Sequence, residues 1–146
     1  MIKVEWSLAD GYRLMGFSHH DGTIREFRYG LVAGNGSQRR DLVVDVDNLQ
    51  DETIRLHFAG VEILRVTDLW ERSIVYDFHL SKLSDPVVMQ EQFERFWESL
   101  QYNEAGARSL VSKFSSHLAV VLFGSYGCAL SLLCECLSVS KTPRFI

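Results

Sequence analysis

A chain of 146 residues with 47% apolar and 23% charged side chains has the make-up of an ordinary folded domain. It can bury roughly 70% of the surface its extended form exposes, which excludes a disordered or low-complexity chain and a fold that depends on staples. A net charge of −4 argues against nucleic acid, because binding phosphate requires concentrated Lys and Arg, and it favours neutral or basic partners.

One domain over residues 1–146 is the expectation. The opening run MIKVEWSLADGYR carries acidic residues early and has no uninterrupted apolar stretch, so it does not read as a secretory signal. The next run, GFSHHDGT, places His19, His20 and Asp21 side by side and raises the question of a metal. Adjacent residues of an extended segment point to opposite faces, which one ion cannot easily bridge, whereas Asp-Gly is favoured turn chemistry. A turn is expected there.

The strand GTIREFRYGLV follows, joined to RRDLVVDVD through a loop containing Asn35-Gly36, a pair that tolerates positive φ and suits a hairpin. In the second of these strands Leu42, Val44 and Val46 share one face, with Val43, Asp45 and Asp47 on the other. ETIRLHFAG repeats the pattern, with Ile54, Leu56 and Phe58 inward and Arg55 and His57 outward. RSIVYDFHL is assigned Ile74, Tyr76, Phe78 and Leu80 as its inner set. Half-solvated strands of this kind pair antiparallel. His57 and His79 fall on the outward phase and read as solvated or hydrogen-bonded sheet histidines.

The period changes at Asp85-Pro86, an N-cap followed by proline at the first helical position. Met89, Phe93, Phe96, Trp97 and Leu100 then form one stripe of a helix expected to pack on the sheet. A second, shorter helix is expected within 103–116 around Ala107, Leu110, Val111 and Phe114, weakened by Gly106. The remaining apolar sequence divides at Gly124-Ser125-Tyr126-Gly127 into two runs that form a C-terminal β-hairpin. Residues 128–139 also carry a helical face, Leu130, Leu133, Cys134 and Leu137. The strand phase, with Leu130, Leu132, Cys134 and Cys136 on one side, is preferred. Glu135 and the Ser-Tyr-Gly break argue against a membrane span over residues 117–139. Three cysteines, an odd number without zinc-motif spacing, read as buried thiols in a reducing, cytoplasmic setting.

Catalytic motifs are poorly matched. AGNGSQR lacks the third glycine and the Lys-Ser/Thr of a phosphate loop, and FGSYG lacks the spacing of a nucleophile elbow. Two features point instead to a partner. DLVVDVDNLQDE gathers Asp41, Asp45, Asp47, Asp51 and Glu52 without an intervening Lys or Arg, and TDLWERS sets Asp68, Trp70 and Glu71 between two strands, where a Trp serves either as an interface anchor or as a cover tucked back over the sheet edge with the acids solvating it.

The chain resembles small bacterial immunity-type domains of polymorphic toxin systems and related uncharacterised proteins. The resemblance rests on His20-Asp21 ahead of a strand, on IRLHFAGV followed by LWERSIVYDFHL, and on Ser125-Tyr126-Gly127 ahead of the last apolar strand, and it covers about half the chain. It implies a protein that neutralises a cognate toxin by stoichiometric binding, with no catalytic residues of its own. The doubled histidine and the cysteine-rich last strand depart from it. The expectation is thus an α+β fold: an antiparallel β-sheet packed against one or two amphipathic helices, with a C-terminal β-hairpin. Its binding residues are Asp45, Asp47, Asp51, Glu52, Asp68, Trp70 and Glu71. No cofactor, metal, nucleic acid or membrane is expected, and the toxin, if basic, meets the acidic patch by charge complementarity. A small-ligand domain with a pocket between helix and sheet, and a hydrolase built on His20, His57 and His79, are the alternatives from other classes.

Overall fold

A computed structural model describes residues 1–32, 38–68, 73–125 and 129–144. In chain order the strands are β1 (Ile2–Val4), β2 (Ser7–Ala9), β3 (Arg13–Met15), β4 (Thr23–Leu31), β5 (Arg40–Asp47), β6 (Glu52–Ala59), β7 (Ile63–Thr67) and β8 (Val75–Lys82). Two short helices, α1 (Glu94–Leu100) and α2 (Glu104–Lys113), precede β9 (Leu118–Gly124), β10 (Ala129–Cys134) and β11 (Cys136–Pro143). The fold is α+β and mostly antiparallel sheet. The strands divide between two sheets, one of five strands ordered β1-β11-β6-β5-β4 and one of six ordered β2-β3-β8-β9-β10-β7.

The single sheet expected from the sequence is therefore a pair of sheets. Leu42, Val44, Val46, Ile54, Leu56 and Phe58 of the first pack with Phe78, Leu80, Val120, Leu122, Leu130 and Leu132 of the second in one buried cluster. Alternation along a strand specifies which side is buried but not which sheet buries it, so the division is invisible locally. A second cluster, Leu83, Val88, Phe93, Phe96, Leu100, Leu110, Ala119, Val121 and Leu133, lies on the opposite face of the six-stranded sheet under the helices. The central strands of that sheet are buried on both sides, which explains the continuous apolar run of β9.

Local departures have identifiable causes. β8 carries a register shift between Val75 and Asp77, so Val75 is buried while Ile74 and Tyr76, assigned inward from the alternation, are exposed. A bulge inserts one residue and reverses the phase before it. The helix expected from Pro86 is broken: Asp85 caps a 3-10 turn at Pro86–Met89 by accepting from the Val87 amide, Gln90 is extended, and a second turn, Glu91–Phe93, leads into α1. This path buries Val88 and leaves Met89 exposed, while Phe93, Phe96 and Leu100 keep their expected places in the core. Trp97 is partly buried and donates Nε1–H to the Val88 carbonyl at 2.7 Å. The second helix is α2, with Ala107 and Leu110 buried and Asn103 Oδ1 accepting from the Gly106 amide at its start.

β9 and β10 form the expected antiparallel pair. At Glu135 the chain leaves the six-stranded sheet and enters the five-stranded one as β11, which pairs with β6 from Cys136 onward. The corner separates the two thiols that strand phase placed together: Cys134 is buried and Cys136 exposed. Cys128 lies outside the described residues, as do Asn35 and Gly36, although β4 and β5 pair antiparallel as a hairpin requires. His19 and Gly22 close the expected turn through a hydrogen bond from the Gly22 amide to the His19 carbonyl at 2.9 Å, with Asp21 in the left-handed region at φ +60°. An Asp10-Gly11 turn, both residues at positive φ, joins β2 to β3. No described helix is long and apolar enough to cross a membrane.

Candidate functional site

Core-facing Leu42, Val44, Ile54 and Leu56 force their neighbours in β5 and β6 to the outward face of the five-stranded sheet. Strand register sets those neighbours in rows. Lys3, Ser140, Arg55, Asp45 and Glu26 lie side by side across all five strands, and Ser138, His57, Val43 and Arg28 form the next row. The helices pack on the other sheet, so among the described residues this face carries no covering layer.

Acidic side chains that the sequence presents without nearby cations receive them from elsewhere in the fold. Arg55 grips Asp45 in a two-pronged contact, Nε and Nη2 each 2.9 Å from a carboxylate oxygen. Asp45, assigned to a solvated patch, is only 3% exposed, so the sheet surface presents the pair rather than a free carboxylate. Asp47 accepts from Thr53 Oγ1 at 2.7 Å and lies 3.2 Å from Arg25 and 3.4 Å from Arg144. Arg144 also reaches Asp51 at 3.5 Å. Glu52 accepts from Asn48 at 3.1 Å and faces Lys141 at 3.3 Å. The Asn48 bond, helped by Lys141, holds the Glu52 carboxyl below its usual value despite the opposing effect of burial.

Asp41 holds a separate set of contacts, with His57, the Gly60 amide and Arg39. Burial opposes its ionisation, but the Gly60 amide, His57 and Arg39 outweigh that and hold its carboxyl below the usual range. An ionised Asp41 must accept, so His57 Nε2 carries the proton across their 2.6 Å contact. The expected outward histidine is thus the sheet's own hydrogen-bond donor.

The turn between β5 and β6 is built by Asn48, buried at 2% exposure. Its Oδ1 accepts from the Gln50 and Glu52 amides, and its Nδ2 donates to the Ser18 carbonyl. This arrangement pushes Leu49 into solvent at 69% exposure. Leu49, Asn48, Asp47, Arg25 and Arg144 line a depression of about 500 Å³. Sequence reasoning missed Leu49 and the arginines. The outward phase of Arg55 was legible, but nothing near Asp47 in the chain announced Arg25 or Arg144.

Of the other candidates, Asp68 is an exposed turn residue at φ +51°, and Trp70 and Glu71 lie outside the described residues. The three histidines of the hydrolase alternative are dispersed. His57 is on the outward sheet face, His20 contacts the Tyr76 carbonyl at 2.6 Å, and His79 contacts the Gln92 carbonyl beneath the helices, packed against Tyr12 and Phe123. His19 is buried against Phe17 and Phe78, and its burial pushes its pKa down. Comparison with known protein families, curated proteins and solved structures finds no match to the chain.

Proposed function

We propose that this protein is a non-catalytic binding module of the immunity type, which neutralises a cognate protein toxin by stoichiometric association. Its binding surface is the outward face of the five-stranded sheet together with the Asn48–Asp51 turn. One observation carries the reading: Leu49 stands exposed amid charges that are already fixed by mutual pairing. An aliphatic anchor ringed by ordered polar groups is the arrangement in which a few central residues dominate binding. Pre-paired side chains also lose little freedom on association. Because the acids carry their own cations, the toxin surface that fits presents charges of both signs around an apolar pocket, a narrower description than a simply basic cleft.

Binding to the protein encoded beside this one, measured by surface plasmon resonance at two salt concentrations, tests the reading. Leu49→Ala should raise the dissociation rate by about tenfold or more. Arg28→Glu, on a side chain half exposed to solvent, should alter association and its salt dependence. Both variants should melt as the parent does. Unchanged affinity in both overturns this choice of surface. Failure to bind the neighbouring product overturns the immunity assignment in favour of a small-ligand module.

A further inference from the structure

Away from that face, three side chains meet where the chain passes between the sheets. Glu62 lies in the turn between β6 and β7, His117 directly before β9, and Glu135 at the corner between β10 and β11. The backbone pins each of them. The Glu62 amide donates to the Leu133 carbonyl at 2.8 Å, the His117 amide to the Phe114 carbonyl at 3.0 Å, and the Glu135 amide to the Ala59 carbonyl at 2.9 Å. One ligand-capable atom from each side chain lies within 4.8 Å of the other two.

One feature indicates that something belongs between them. His117 Nε2 is buried and has no hydrogen-bond partner among the described residues. The nearest Glu62 oxygen is 3.8 Å away, outside hydrogen-bond reach. A buried polar nitrogen left unsatisfied costs about 1–3 kcal/mol. The Phe114 ring, 4.9 Å from the imidazole and edge-on to it, steadies the histidine. Gly60, in the left-handed region at φ +64°, lets the Glu135 side chain lie close against the backbone, 2.5 Å from where a Cβ at residue 60 would stand.

We propose that Glu62, His117 and Glu135 bind a divalent transition-metal ion of the zinc class. One imidazole and two carboxylates are a donor set such ions accept, and two anionic ligands with a neutral imidazole balance the dication. Tetrahedral ligands at about 2.0–2.2 Å from zinc stand roughly 3.3–3.6 Å apart, so the trio, within 4.8 Å of one another, must close by up to about 1.5 Å. The two exposed glutamates supply that movement by rotation. Three protein ligands leave one position for water. The exposure of Glu62 and Glu135 leaves that position open to solvent. The ion would tie together three connections that no covalent link joins, and it would stabilise the fold by an amount that rises with the logarithm of the free ion concentration above its dissociation constant.

The test uses the full chain, freed of metal by chelator. Titration with zinc chloride should give about one ion per chain and raise the melting temperature. Cobalt(II) should show the intense visible absorption of a four-coordinate ion. Glu135→Gln and Glu62→Gln, both on exposed side chains, should each weaken binding by about tenfold or more and change the cobalt spectrum without unfolding the protein. His117→Gln should abolish binding if it folds, and the two glutamate variants decide the matter if it does not. Absence of zinc binding up to millimolar concentration, or binding indifferent to both glutamate substitutions, overturns the site.

Discussion

Replacing Arg55 by Leu should destabilise the protein more than replacing its partner Asp45 by Asn, and the asymmetry follows from exposure. The Asp45 side chain is 5% exposed and that of Arg55 34%. Removing the guanidinium strands a carboxylate away from water, beside Glu26 in the neighbouring row position. Loss of one partner of a buried pair costs about 3–5 kcal/mol; the pair lies at a sheet surface, which places Arg55→Leu near 3 kcal/mol. Asp45→Asn keeps the shape and one acceptor, and the Arg55 head can recover water, so about 1–1.5 kcal/mol is expected. For a chain of this size the larger loss lowers the melting temperature by roughly 6–12 °C. The double variant should cost less than the sum of the two, because no charge is then stranded. Urea titration at pH 7 with an unchanged denaturant slope measures all three. Arg55→Leu within about 0.5 kcal/mol of the parent, or Asp45→Asn the more damaging, would refute the reasoning. Asp45→Lys, harmless if Asp45 were solvated, should instead destabilise by setting a cation against Arg55.

Two further outcomes follow from burial. Phe96→Ala should cost about 3–5 kcal/mol, since Phe96 is fully buried in the helix-covered cluster; a melting temperature equal to the parent's would show that the stripe is not core. His19 gives a pH dependence. Its folded pKa lies below the usual 6.5 because burial disfavours the cation. Above pH 6.5 both states are neutral and nothing is lost, whereas as pH falls below 6.5 the unfolded chain takes up a proton that the folded one resists. Stability should therefore decline below that pH, and His19→Gln should remove part of the slope in urea midpoints between pH 5 and 7; identical slopes would count against it.

Strand alternation is a property of neighbouring residues, so the inner sets Leu42, Val44, Val46 and Ile54, Leu56, Phe58 could be read from the chain alone. So could the Asp21-Gly22 turn, the Asp85 cap and the second helix, each decided by chemistry within a few residues. Four features needed the tertiary structure. The split into two sheets depends on which strands pair, and the corner at Glu135 that separates Cys134 from Cys136 has no local signature. The bulge at Val75 depends on the register with β9, and it exposed Ile74 and Tyr76 against their apparent phase. The acidic stretch was the clearest case. Its charge was evident in sequence, but its electrostatic character was set by Arg25, Arg55, Lys141 and Arg144, which only the sheet register and the closing carboxyl-terminal strand bring beside it. Coulomb interactions act over ångströms in space, and distance along the chain does not measure them.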